Sequence, residues 1–567
     1  MRVKYKIGAG ICIVMAALLF FLEYARLTDD QKALEEPKDA IRTVQYIRPD
    51  FSEVIEYVEQ LEKDIYTVDE IAFEKKYEYL NEMLMEISTA NRALMIERYN
   101  DINSIQLINE YEYFYTEYEK LYIRYAEFMS ILIQSDKYDC VSDEWSKEER
   151  EKEEEVLNVL NEEYQICVRE QKKCVQQFYL ERTEGYIWLD GEKVMLEYLL
   201  ESEQYSDVEK NEFTKEALRN YYSQIKSIYI MLIDINNRIA RNYGYDNYYD
   251  YICSQYKDKK NMSFDSDVIY SWVKTELVPL YCSIYGELSL EEMNDVINKK
   301  YTLVDTIYML ETGLGELSPD MRECFENMFV DNRAEIGNQE GKSTNNFTTY
   351  LYSYGYPYVS VYLFENYIDQ GSILHEFGHY YGYSKVGAGI EQHMDVFETI
   401  AQAMNGMYWV KMFQKNGFTS EIKLNMLNIL QTVILSALID EFEKYAYTEM
   451  VIDSTMLDLK YLELLKEYGL IQGNEDVMGM GDWADYTLIF ESPFYYRNYM
   501  FSSIPVLMIM SEGFCSIDEM LAMYMIVLEK GEEATISDVI EMLNKHNLSQ
   551  EELLKYVTKK IKKALQM

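Results

Sequence analysis

The stretch Ile373-Leu374-His375-Glu376-Phe377-Gly378-His379-Tyr380 decides how this chain of 567 residues is read. On a helix, residues four apart lie one above the other, so His375 and His379 present two imidazole nitrogens to a single ion. Glu376, next to the first histidine, stands where a general base would act on water at that ion. Ile373, Leu374, Phe377 and Tyr381 supply the apolar neighbours that bury such a helix. With four histidines in the whole chain, two at this spacing with glutamate in second place arise by chance about once in a thousand such sequences. The HExxH pattern therefore points to a Zn²⁺ site.

A catalytic zinc needs a third protein ligand. Downstream, Asp395-Val396-Phe397-Glu398-Thr399-Ile400-Ala401-Gln402-Ala403-Met404 reads as a second helix with Val396, Phe397, Ile400 and Met404 on its buried side. Glu398 falls among them, and a carboxylate on an apolar face is costly unless it is paired or metal-bound. That favours Glu398 over Glu391 in the preceding connection, with His393 as the rival donor. Lys385 stands where a metzincin carries its third histidine, which excludes that class. Gly341-Lys342-Ser343 mimics the end of a phosphate-binding loop, but Ile336 occupies the place of that loop's first glycine.

HEFGH followed by DVFETIAQAM resembles the M3 peptidases, the thimet oligopeptidase and oligoendopeptidase F group. Three further stretches are similar to that family in the family's order: Asn237 to Tyr248 (NRIARNYGYDNY), Gly341-Lys342-Ser343 leading to Tyr358-Val359-Ser360-Val361, and Ser492-Pro493-Phe494-Tyr495-Tyr496-Arg497-Asn498-Tyr499. The resemblance spans about residues 210–505. It implies a mainly α fold, a large helical metallopeptidase body enclosing a channel, with a small β element next to the HExxH helix. It also implies Zn²⁺ held by His375, His379 and Glu398, Glu376 as base, and a phenol from Tyr496 or Tyr499 stabilising the oxyanion. Short peptides are the substrates it suggests, cut at internal bonds. Two features depart from the family: the interval from His379 to Glu398 is short, and Leu488 stands where many members carry a histidine. They leave open a weakened relative that binds or senses peptides, and the short interval also suits an HExxH-plus-Glu aminopeptidase.

Composition agrees with a helical body. Only 24 glycines and 7 prolines occur in 567 residues, below the usual roughly 7% and 5%, so the punctuation of hairpin-rich folds is missing. A net charge of −45 argues against nucleic acid as a partner. The segment from Tyr350 to Val361 is β-prone and predicts a strand beside the metal helix. Eight cysteines without a CxxC pair read as small buried residues. The domain reading is an N-terminal segment at 1–27, a helical region at 28–205 and the catalytic region at 206–567, with the second boundary drawn from the polar stretch around Glu203 to Glu209. The sequence Ser146-Lys147-Glu148-Glu149 has capping-box spacing.

Arg2, Lys4 and Lys6 precede an uncharged run from Ile7 to Leu22, with no A-x-A site after it. This predicts a single-pass membrane anchor with the catalytic body outside the cytoplasm; secretion after signal cleavage is the alternative. In intact cells, externally added protease should then degrade the body, and the full-length protein should stay with membranes through a carbonate wash. A soluble species starting near residue 25 would identify a cleaved signal instead.

Overall fold

The computed structural model describes residues 44–566 except 143–149, 151–152, 184–185, 190–191, 203, 256–264, 471–482 and 532. The expected anchor, Cys12 and the Ser146–Glu149 capping sequence lie outside the described residues. The chain is mainly α, as its composition predicts.

Helix α1 (Phe51–Asp64) starts where the Asp50 carboxylate accepts the backbone N–H groups of Ser52 and Glu53, and it buries Phe51, Val54, Val58 and Leu61 at helical spacing. With α2 (Glu70–Asn100) and α3 (Ile105–Leu132) it closes a core around Phe73, Leu80, Phe114 and Phe128. A second and larger core begins with α4 (Glu162–Thr183) and α5 (Asp207–Asn242) and continues to the C-terminus. The change of core falls between Val159 and Tyr164, ahead of the boundary expected at 205/206. Within that polar stretch, Ser206 and Glu209 form a reciprocal capping box at the start of α5.

A hairpin of β1 (Tyr186–Leu189) and β2 (Glu192–Met195) lies beside α5. The sheet next to the HExxH helix has β3 (Ala334–Gly337), β4 (Phe347–Leu351) and β5 (Tyr356–Tyr362) in the order β3-β5-β4, with β5 parallel to β3 and antiparallel to β4. The β-prone segment from Tyr350 to Val361 holds the end of β4, a turn where Gly355 takes a φ of +71° and reverses the chain, and most of β5, the strand expected beside that helix. Alternation along β4 gives it two partners. Phe347 and Leu351 pack with Ala93 and Ile96 of α2, while Thr348 and Tyr350 turn toward the metal helix.

That helix is α6 (Ile368–Val386), joined through a turn at Ala388–Gln392 to α7 (Met394–Asn416). Helix α8 (Ser420–Thr448) has the length and apolarity of a membrane span, yet 67% of its apolar window is buried inside the protein, so it is read as a core helix. Helix α9 (Tyr495–Gly513) packs against α7 and α8. The reading of the cysteines as buried holds for Cys167 and Cys174; Cys282 and Cys515 are exposed, since their positions face outward.

Helices α6 and α7 cross where Gly378 meets Ala401. A Cβ on Gly378 would stand 2.6 Å from the Ala401 Cα and 3.0 Å from its carbonyl oxygen, whereas at Gly382 the nearest atom, Ile400 Cγ2, is 3.4 Å away. Gly378→Ala should therefore cost about 1–3 kcal/mol of stability by forcing backbone apart. Gly382→Ala meets only ordinary contact and removes a flexible residue from a helix interior, so it should be neutral or stabilising by up to about 1 kcal/mol. Denaturant midpoints of the two variants, at unchanged m-value, check the contrast.

Candidate metal centre

The close crossing brings the side chains of two helices together. His375 and His379 stand one turn apart on α6, with their rings nearly perpendicular and 4.9 Å between centroids. Glu398 reaches them from α7. Its Oε2 lies 3.5 Å from His375 Nε2 and 3.7 Å from His379 Nε2, so the residues singled out as ligands converge within one small volume. Zinc bonds of roughly 2.0–2.1 Å at tetrahedral angles would hold neighbouring donors about 3.3 Å apart. The observed spacing is within reach of that.

Burial sets the charge state. The His379 and Glu398 side chains are 8% and 5% exposed, while His375 is 25% exposed, so the cluster meets solvent on the His375 side. Loss of solvation depresses the His375 imidazole to about 4. His379 is driven well below its ordinary value by burial and by its neighbour His375. Both rings are thus neutral near pH 7, the form that binds a metal. Burial raises Glu398 to about 7, against the Tyr495 hydrogen bond. It raises Glu376 to about 8, opposed by the Thr348 hydroxyl and aided by the Glu398 charge. A divalent ion among these groups would draw both carboxylate values down and hold the two imidazoles neutral.

The donor set fits zinc on a second count. Glu398 Oε1 accepts a hydrogen bond of 3.1 Å from the Tyr495 hydroxyl, whereas Glu398 Oε2 is buried without a hydrogen-bond partner among the described residues. An orphaned buried carboxylate oxygen is expensive, and a cation shared with the two imidazoles satisfies it. Glu376 is turned differently. Its Oε2 accepts 2.7 Å from the Thr348 hydroxyl of β4, which also lies 2.9 Å from the Glu376 carbonyl oxygen, so the sheet holds this carboxylate beside the cluster.

The rival donors lie elsewhere. His393 is the N-cap residue of α7 and Glu391 pairs with Arg92; neither joins the converging group. Tyr499 packs edge-on to Tyr495, with 5.2 Å between ring centroids. Tyr496 packs on Tyr486 and Tyr499 at 6.1 and 6.3 Å. Leu488 is half-buried in the turn of helix before them. Tyr495, which touches Glu398 directly, was not singled out from the sequence; its i, i+4 relation to Tyr499 at the start of α9 was the available signal. The start of α9 is itself held, because the Phe494 N–H donates 2.9 Å to the buried Glu443 carboxylate while Phe494 takes a φ of +67°.

No family model and no curated protein matches the chain. Solved structures do. A protein assigned as an oligoendopeptidase F matches with a TM-score of 0.69 and 16% identity, over 92% of this chain and 98% of its own. PZ peptidase A, solved with an inhibitor, gives 0.69 and 15% over the same shares. A protein assigned as an oligoendopeptidase F from Bacillus anthracis gives 0.67 and 17%, over 93% of this chain and 98% of its own. At such identities the likeness establishes the fold, which is that of the oligoendopeptidase F structures.

If Tyr495 fixes one oxygen of Glu398 so that the other is aimed at the ion, Tyr495→Phe should weaken zinc binding about tenfold, the usual order for a lost outer-shell hydrogen bond. Tyr496→Phe should leave it unchanged. Competition against a chromophoric chelator measures both.

Proposed function

We propose that this protein is a zinc-dependent oligopeptidase of the M3 type that hydrolyses internal bonds of short peptides. The observation that carries the proposal is the orphaned Glu398 Oε2 facing two neutral imidazole nitrogens, with the Glu376 carboxylate held beside them. The fold shared with oligoendopeptidase F structures supports it.

Zn²⁺ bound by His375, His379 and Glu398 would supply the Lewis acid that polarises a scissile carbonyl and acidifies water. The remaining work falls to the chain. Thr348 occupies Oε2 of Glu376, which leaves Oε1 to take a proton from the attacking water and pass it to the leaving amine. A phenol can donate to the oxygen on which negative charge grows. Of the two tyrosines suggested by the sequence, Tyr499 is the better placed, since its ring packs on Tyr495, whose hydroxyl bonds Glu398. The sheet order leaves β4 at an edge, next to Glu376 through Thr348. A peptide extended along that edge would be held by backbone hydrogen bonds and read with little regard to sequence. The basic and apolar N-terminal segment supports a body anchored outside the cytoplasm.

Zinc analysis combined with turnover of a mixed quenched-peptide library tests the reading. Wild type should hold one zinc and cleave within the peptides. Glu376→Gln should retain the zinc and lose about 10²–10⁴-fold in turnover, the range for a general base, and Glu398→Ala should lose most of the metal. Zinc without turnover in wild type would favour a peptide-binding or sensing protein, the alternative raised by Leu488. Full zinc occupancy in Glu398→Ala would overturn its assignment and turn attention to His393.

A further inference from the structure

Glu391 lies in the turn between the two ligand-bearing helices, and it is nearly buried, with 9% of its side chain exposed. It accepts 3.0 Å from the Arg92 guanidinium and 3.1 Å from the Tyr352 hydroxyl, and the Tyr383 phenol of α6 donates to its other oxygen. Arg92 is 12% exposed and comes from α2, in the core formed by the N-terminal helices. The same guanidinium donates to the Thr349 hydroxyl on β4 and, at 3.3 Å, to the Tyr352 hydroxyl, and it lies 5.0 Å over the Tyr352 ring. One planar fork thus ties together three things: the N-terminal helices, the strand beside the metal helix, and the turn from which α7 starts.

We propose that Arg92 is a positioning residue for the metal centre. Through Glu391 it fixes the turn that launches α7, and so keeps Glu398 in register with His375 and His379. Through Thr349 it steadies β4, where the neighbouring Thr348, pointing to the opposite face, holds Glu376. The geometry calls for arginine: lysine can neutralise Glu391, but its single ammonium cannot present separate donors in one plane to Glu391, Thr349 and Tyr352. Loss of the guanidinium leaves a buried carboxylate held only by phenols. The inference rests on reading His375, His379 and Glu398 as a metal centre. An ordinary ion pair between packed elements is what it must be distinguished from.

The full chain is compared with Arg92→Lys, Arg92→Met, Glu391→Gln and, as a control on the exposed face of α2, Glu82→Gln. In the metal-free proteins, amide hydrogen exchange in 388–399 and 347–352 should quicken in the Arg92 and Glu391 variants, with the rest of α2 unchanged. In the zinc-loaded proteins, metal loss to an excess of chelator should be about 10–100-fold faster, measured well below each variant's own denaturation midpoint. Arg92→Lys should restore part of the retention. Wild-type exchange in 388–399 together with wild-type zinc loss would overturn the proposal. So would faster exchange spread evenly through α2 and its core, because that marks a merely structural pair. If Arg92→Met fails to fold, Arg92→Lys and Glu391→Gln, which keep side-chain volume, decide the matter. If wild type retains no zinc, the metal-centre reading fails on its own, and exchange in the metal-free proteins still decides whether Arg92 positions the turn.

Discussion

Everything at the centre of this protein depends on how closely α6 approaches α7. The contact is made at Gly378 against the backbone of Ala401, and both residues lie one helical turn from a member of the His-His-Glu cluster: Gly378 from His375, Ala401 from Glu398. Because side chains one turn apart share a helix face, the crossing point and the donor atoms move together. A shift large enough to admit one methyl group at Gly378 would carry the Glu398 carboxylate away from the imidazoles. The interior is packed too densely to absorb such a change at one point only. The glycine inside the motif is therefore as much a part of the cluster as His375, His379 and Glu398.

The electrostatics follow from that packing. Two carboxylates and two imidazoles enclosed by Phe397, Tyr495 and the sheet lose solvation together, which neutralises the histidines and raises the acids. A divalent cation held by this cluster would offset part of that burial cost. Hydrogen bonds then separate two glutamates of similar surroundings into different roles. Tyr495 takes one oxygen of Glu398 and leaves the other to face the histidines; Thr348 takes one oxygen of Glu376 and holds it on the sheet side.

The small sheet explains why the N-terminal helices are more than an appendage. Their core is distinct from that of the larger body, yet they meet β4 through Phe347 and Leu351. They meet the loop before it too: the Ser343 N–H donates 2.7 Å to the Tyr99 carbonyl, and Lys342, buried and lowered to about 8 by loss of solvation, donates 3.1 Å to Ser360 and to the Glu335 carbonyl. The Gly341-Lys342-Ser343 sequence that imitates a phosphate loop is thus a clamp between β3, β5 and α2. Its lysine is spent on protein oxygens.

What the sequence determined by itself is local and chemical. The spacing of His375, Glu376 and His379, the apolar face that makes a carboxylate at Glu398 anomalous, and the shortage of glycine and proline are all properties of single helices or of composition, and a helix fixes the relation of residues three and four apart wherever it is placed. The partners of those residues were decided by tertiary structure alone. Tyr495 rather than Tyr496 or Tyr499 bonds Glu398, Thr348 bonds Glu376, and Arg92 reaches Glu391. In each of these long-range contacts the two residues are brought together by the crossing of elements far apart in the chain, and no periodicity within one element carries the angle at which it meets another.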